Sequence, residues 1–400
     1  MKSSFLLKKR DFSLQVILLL IASMTMLLTG ALLFPIGAGK LPYYEKGLYG
    51  LLLFIFALQI IILGETPLGR MKKSKILLFL GTLVAATGII TCFIPDLLGE
   101  IPRFTLFLCF GPGGLFLLLH MIFSPEKLRT WMRYGGIFRH LALACGSVYS
   151  FSVLMGSLLW NPRTLSLPLT ALGALFYGIA LLYLALVLHK IHGTYPESRE
   201  MHEAPGDLTP DQTMLFVTGI FMILLGVLLV PVSFGMLPFS GSAQLGLLMV
   251  IFAVQMLAFG NTPLGAFPRS WLMLFLGLFF GALGIISCII PGILVKLLTI
   301  LVGGLNILGG SLMLGKLCLP LLERKKSPRT PLPGILVKLY ITQLIMNLLS
   351  ILFGTSMFCS QLLPGHIIGV ILTANGVALL YLLFLLLRIE KMKNSGTECS

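Results

Sequence analysis

The chain has 400 residues, of which 57% are hydrophobic and 11% charged, and it carries a formal net charge of +15. Its mean hydropathy of +1.00 leaves too little polar surface for a soluble globule. Most apolar runs have about the 20 residues that a helix needs to cross hydrocarbon, and no ten-residue alternating pattern suggests a membrane barrel. The sequence therefore predicts an all-α polytopic membrane protein.

Twelve apolar runs are predicted as transmembrane helices. They cover residues 12–34, 48–63, 76–94, 104–123, 137–160, 167–188, 213–234, 243–259, 271–290, 293–319, 335–358 and 367–387. Six precede a polar, acidic segment and six follow it. The predicted domains are a membrane repeat in 1–190, a cytoplasmic linker in 191–212 and a second repeat in 213–400. Because six is even, the two repeats should run parallel. The first run exceeds a signal-peptide h-region, so we expect it to be retained as a span.

An internal repeat supports this division. Residues 50–95 align with 246–291 at a constant offset of 196, with 24 identities in 46 positions. The shared core reads Gly-x-Thr-Pro-Leu-Gly at 64–69 and again at 260–265. Such a period indicates two copies of one structural unit, so we expect any site to lie between the copies or to occur in pairs.

The basic residues predict the orientation. With the N-terminus inside, the far side holds only five of the 29 Lys and Arg residues, namely Lys40, Lys46, Arg103, Arg163 and Lys296. Lysine and arginine resist translocation, so this bias predicts cytoplasmic termini and a cytoplasmic linker in the cell's inner membrane. The positive charge then suits anionic lipid headgroups, and a nucleic-acid partner is not needed to explain it.

Glycine and proline mark a finer period within each half. A proline follows every second span, at Pro35, Pro95, Pro162, Pro231, Pro291 and Pro364. Proline ends helices, and small residues let neighbouring helices approach closely. Each half is therefore predicted to contain three tandem helical hairpins, each joined at one of these prolines and packed on the next.

Residues 274–314 carry this pattern most fully, with Gly281, Gly284, Pro291, Gly303, Gly304, Gly309 and Gly310. The stretch resembles the hairpin repeat of the HdeD acid-resistance membrane protein family, and residues 29–63, 78–119 and 144–186 fit more loosely. The resemblance implies a stress-related inner-membrane protein of six spans, doubled here. It brings no catalytic residues.

The repeated Thr-Pro-Leu-Gly loop is one candidate site. Gly64 and Gly260 suit the left-handed position after a helix, and Thr66 and Thr262 before proline suit N-caps of a new helix. A capped structural turn is one interpretation. The other is a paired cytoplasmic gate whose threonine hydroxyls face a ligand.

Polar residues inside the spans are the second candidate. Gln59 and Gln255 are equivalent positions near the cytoplasmic ends of spans two and eight, and Asn306 lies near the middle of span ten. An amide in hydrocarbon usually bonds to another helix, for roughly 0.6 kcal/mol. The alternative is that the glutamines line a polar cavity shared by the two halves.

Reactive motifs are missing from the sequence. No Asp, Glu, Lys or Arg lies well inside a span, and no phosphate loop, zinc motif or nucleophile elbow is present. We therefore expect no enzyme, cofactor or metal. Two functions remain: a non-enzymatic HdeD-like stress or structural protein, and a facilitator for a small neutral or amphiphilic solute. The sequence leaves the oligomeric state open.

We predict that single cysteines introduced into residues 190–211, in a chain without its native cysteines, will not react with an impermeant maleimide added to intact cells. A cysteine at Lys40 serves as the control and should react, because the charge bias places Lys40 outside. Rapid labelling of the linker would reverse the orientation.

Overall fold

The computed structural model describes residues 12–67, 69–71, 74–124, 128–160, 167–195, 208–262, 264–324, 334–359 and 363–397. Twelve helices within this part are long and apolar enough to cross a membrane. The chain is therefore an all-α integral multi-pass membrane protein, as predicted. The basic residues 8–10 and the acidic linker core 196–207 lie outside the described residues.

The helices follow the predicted spans to within a few residues at most ends. In chain order they are α1 (Leu14–Gly37), α2 (Glu45–Leu58, extended by a π-helical turn Gln59–Leu63), α3 (Lys75–Phe93), α4 (Ile101–Phe123), the short α5 (Leu128–Tyr134), α6 (Ile137–Trp160), α7 (Leu167–Thr194), α8 (Pro210–Ser233), α9 (Gly241–Phe259), α10 (Trp271–Ile289), α11 (Val295–Arg324), α12 (Gly334–Phe358) and α13 (Gly365–Thr397). Two antiparallel pairs of two-residue strands complete the described part: β1 (Glu65–Thr66) with β2 (Gly69–Arg70), and β3 (Asn261–Thr262) with β4 (Gly265–Ala266).

Proline ends these helices less sharply than predicted. α1 continues through Pro35 to Gly37, and α8 continues through Pro231 to Ser233. The predicted end at residue 34 is therefore wrong by about three residues, because proline constrains the turn before it while its own φ remains helical. The predicted span 213–234 already ran through Pro231. The helices before Pro95 and Pro291 do end two residues earlier, at Phe93 and Ile289.

The chain divides into two compact units that cut across the sequence repeat. The first contains α1–α7 together with α9 and α10, and the second contains α8 and α11–α13. The middle helices of both sequence halves therefore fall in the first unit. A unit defined by contacts need not coincide with a repeat defined by sequence, and the repeat boundaries at 190 and 213 stay a prediction.

Glycine contacts decide which helices pair in the first unit. α1 packs along α7, where a Cβ on Gly30 would lie 2.7 Å from the Ala171 carbonyl oxygen. α4 packs along α6, and α2 along α3. Two of the hairpins predicted at proline turns, α1 with α2 and α3 with α4, are wrong, since those helices touch only slightly. Apolar side chains do not distinguish one neighbouring helix from another, so the positions of small residues decide which helices pack together.

The α2–α3 and α9–α10 hairpins share one closely packed contact. A Cβ on Gly50 would lie 2.5 Å from the Gly88 carbonyl oxygen, and one on Gly88 would lie 2.8 Å from that of Gly50. Their equivalents Gly246 and Gly284 repeat the contact, at 2.5 Å in both directions. Only glycine permits this approach, which explains why these residues recur at the offset of 196.

The second unit uses the same device. α8 packs along α13, with Gly219 against the Gly376 carbonyl oxygen and Gly226 against Gly369 and Thr373. α11 meets α12 at Gly303, whose carbonyl oxygen lies 2.7 Å from a Cβ placed on Gly354. Small residues therefore bring helices together in both units.

Gly88→Ala is expected to cost about 1–3 kcal/mol of unfolding free energy, because the added methyl group meets backbone that cannot move aside. Gly304→Ala is the matched control. Nothing lies within 4 Å of a Cβ at Gly304, so this change should be neutral or stabilise α11 by up to about 1 kcal/mol. Denaturation of both variants in detergent measures the difference, and equal stabilities would contradict the packing argument.

Candidate functional site

The two central hairpins, α2–α3 and α9–α10, contact each other reciprocally; we call them the central hairpin pair. The Tyr44 amide donates to the Ile289 carbonyl oxygen at 2.9 Å, and the Ser240 amide donates to that of Phe93, also at 2.9 Å. Tyr44 is equivalent to Ser240, and Phe93 to Ile289, at the offset of 196. Exchange of the same two positions is the mark of a two-fold, isologous contact.

The described part of this contact is closely packed and mostly apolar. Phe93, Ile289, Cys92 and Cys288 are all 0% exposed. Both thiols bond to nearby carbonyl groups, Cys92 to that of Gly47 and Cys288 to that of Ala243. Cysteine in such surroundings acts as a small hydrophobe. Ser242 and Ser287, which are also buried in the central hairpin pair, bond to each other within α9–α10.

The Thr-Pro-Leu-Gly loops are β-hairpins. Gly64 and Gly260 do adopt the predicted left-handed conformation, with φ of 68° and 69°. The N-cap prediction for Thr66 and Thr262 is wrong: the following helices begin later, capped by the equivalent serines Ser74 and Ser270.

Each threonine stays within its own turn. Thr66 Oγ1 donates to the Gly69 carbonyl oxygen at 2.7 Å, and Thr262 Oγ1 donates to that of Gly265 at 2.8 Å. A threonine hydroxyl bonded to its own turn competes with regular helix formation, which explains the missed start. These bonds support the structural interpretation of the loops, while a ligand role for Thr66 and Thr262 stays a prediction.

The intramembrane amides occupy separate places. Gln59 opens the π-helical turn and Gln255 lies in α9, and both are half-buried. Asn306 bonds across to a neighbouring helix: Ser350 Oγ on α12 lies 3.0 Å from Asn306 Oδ1. The interhelical bond expected of Asn306 is thus seen. A binding role for the three amides stays a prediction.

A cavity of about 370 Å³ in the first unit lies apart from all of these residues; we call it the Glu45 pocket. It lies near the start of α2, at the end of that helix opposite Gly64. Its walls come from α1, α2, α4, α6, α7 and the segment before α2. Met26, Leu52 and Phe110 contribute to its apolar wall. Size and lining are those of a small-molecule site, with few polar groups among many apolar ones.

The polar groups of the Glu45 pocket gather at one end. Glu45 is exposed, and its carboxylate accepts a hydrogen bond from the buried Tyr49 hydroxyl. Tyr43 stands beside it. Burial raises the pKa of the Tyr43 phenol and the Glu45 carboxylate raises it further, so Tyr43 remains a neutral donor. Thr29 and Thr170 add hydroxyls to the wall.

The two cations near this end have partners elsewhere. Lys46 Nζ donates to the Gly99 carbonyl oxygen at 2.8 Å and lies 3.6 Å from Asp96 and 3.8 Å from Glu100. Arg103 Nε donates to the Leu159 carbonyl oxygen at 2.8 Å, and its Nη1 lies 3.2 Å from Glu100. Within the described residues, no lysine or arginine comes within ion-pair distance of Glu45.

Sequence reasoning missed the Glu45 pocket. Its lining is drawn from six segments, and no motif connects them. One local signal was available: Glu45 and Tyr49 are four residues apart, hence on one helix face at a span end. The second half has no counterpart, since Gly241 and Leu245 stand at these positions.

No family model, curated protein or solved structure matches this chain. Within the described residues, no three His, Cys, Asp or Glu side chains are placed to hold a metal ion. The HdeD resemblance therefore stays a prediction carried by the glycine and proline pattern alone.

Proposed function

We propose that this integral multi-pass membrane protein is non-enzymatic and acts structurally, in the HdeD-like sense of supporting the membrane under stress. The observation that carries the proposal is the central hairpin pair. Its small residues, buried thiols and reciprocal backbone bonds make a closely packed joint between the two sequence halves. A solute path along this joint would call for polar groups that face open space, and the described hydroxyls of Ser242 and Ser287 there bond to each other.

We place the protein in the cytoplasmic membrane with both termini and the linker inside. The support is the distribution of Lys and Arg, five of 29 on the far side. In this orientation Arg129, Arg133 and Arg139, around α5 and the start of α6, face the anionic inner leaflet. The Glu45 pocket then opens toward the outer surface.

A facilitator for an amphiphilic solute is the second candidate, and one observation favours it. The Glu45 pocket joins a polar mouth to an apolar interior, as an amphiphile requires. It lies within the first unit. α2 contributes to its wall, but none of the described residues that line it belongs to α3, α9 or α10.

Cells that lack the protein are expected to take up a membrane-impermeant dye faster at acid pH, and the wild-type chain should restore the barrier. Gly47→Leu should fail to restore it at equal abundance, because Gly47 is buried against the Cys288 carbonyl group in the central hairpin pair. Gly304→Leu is the matched control and should restore it, since nothing lies close to Gly304.

Proteoliposomes separate the two candidates. The structural role predicts equal flux of neutral and amphiphilic solutes into vesicles with and without the protein. Protein-dependent, saturable flux, together with unchanged acid tolerance of the deletion strain, would contradict the proposal and favour the facilitator.

A further inference from the structure

We propose that the Glu45 pocket binds a single-chain cationic amphiphile, with its ammonium group on the Glu45 carboxylate and its hydrocarbon tail among the apolar side chains below. This inference rests on the pocket alone. It holds whether the protein is structural or a facilitator.

The sign of the headgroup follows from Glu45. The carboxylate has one hydrogen-bond donor, Tyr49, and no ion-pair partner among the described lysines and arginines. An anionic head would be repelled. A neutral head would strip water from the carboxylate without replacing its charge, which is costly. An ammonium group satisfies the carboxylate and can also face the Tyr43 and Tyr49 rings, which attract cations.

The fixed partners of Lys46 and Arg103 strengthen this assignment. Both cations are engaged by carbonyl oxygens and by the acids Asp96 and Glu100, so neither is free to neutralise Glu45. Glu45 also lies in the first turn of α2, where the helix dipole stabilises a carboxylate. That role accounts for an acid at this position and leaves the adjoining cavity unexplained.

The tail follows from the lining. Apart from its polar groups the pocket is lined by apolar side chains, among them Met26, Leu48, Leu52, Met155 and Phe110. Phe110 is buried and held in edge-to-face contact by Phe56 and Tyr177, so the inner wall is firm. About 370 Å³ suits one medium alkyl chain with a small head, and is too little for a two-chain phospholipid.

The test is calorimetric binding of decyltrimethylammonium to the full chain in nanodiscs of zwitterionic lipid. A neutral analogue with a tert-butyl head and decyl sulfate are the two comparison ligands. We expect the cation to bind at least about tenfold more tightly than the neutral analogue, and the sulfate not to bind. Equal affinities for all three would overturn the assignment of the head.

Glu45→Gln should weaken binding of the cation by about tenfold or more and leave the neutral analogue unchanged. Asp96→Asn is the matched control: it removes the same charge at the same end, does not line the pocket, and leaves Lys46 with Glu100 and the Gly99 carbonyl oxygen, so affinity should change less than about threefold. A larger loss with Asp96→Asn would show a general surface-charge effect and contradict a site at Glu45.

Two further variants keep the test independent of folding. Tyr49→Phe retains the ring and the helix but removes the hydrogen bond to Glu45, and it should weaken binding of the cation moderately. Ala174→Leu reduces the cavity and should abolish binding of both the cation and its neutral analogue. Thermal unfolding of each variant without ligand identifies any loss of fold, and undiminished binding to a folded Ala174→Leu protein would place the ligand elsewhere.

Binding of a lysolipid tests whether the natural ligand is a lipid headgroup or a free amine. Lysophosphatidylethanolamine carries an ammonium group beside a phosphate, whereas a free amine lacks the phosphate. We expect the free amine to bind more tightly, because the cations near the pocket are already engaged. Tighter, Glu45-dependent binding of the lysolipid would assign the site to a lipid headgroup and contradict the free amine.

Discussion

In hydrocarbon a helix gains little by burying leucine against leucine, because lipid tails are as apolar as the side chain. Close approach of backbones then decides which helices pair, and glycine is the residue that allows it. In the first unit, Gly50 meets Gly88, and Gly246 meets Gly284. The rest of that unit depends on these two hairpins, since α2 and α9 are its most deeply buried helices.

Length and hydropathy were enough to predict twelve spans, and the special conformation of Gly64 and Gly260 followed from their place after an apolar run. Both signals are local. The pairing of helices is not local, and the proline-based hairpins α1–α2 and α3–α4 were wrong for that reason. The sequence did not predict that α3 begins only after Ser74. Thr66 lies in a short β-hairpin of two-residue strands, which is too short to show a hydrophobic periodicity.

Of the candidate site residues, the structure gives Thr66, Thr262 and Asn306 bonds that a structural role explains. Paired sites were expected because residues 50–95 resemble residues 246–291. The Glu45 pocket is unpaired, since Gly241 replaces Glu45 in the second half. A search for pairs of equivalent residues therefore passed over Glu45.

Reciprocal contact in the central hairpin pair is the claim on which this account depends, and disulfide cross-linking tests it directly. One variant carries cysteines at Tyr44 and Ile289, and a second variant carries cysteines at Ser240 and Phe93. In both, the native cysteines are changed to serine and the linker carries a protease site. After oxidation and complete cleavage of the linker, both pairs should keep the two halves joined on a non-reducing gel, because both backbone bonds are 2.9 Å long. A cysteine pair at Tyr44 and Ser270 is the control and should give separate halves, because Ser270 lies at the far end of α10 from Ile289, about 28 Å away at 1.5 Å per residue. Cross-linking of one pair without the other would contradict the reciprocal arrangement.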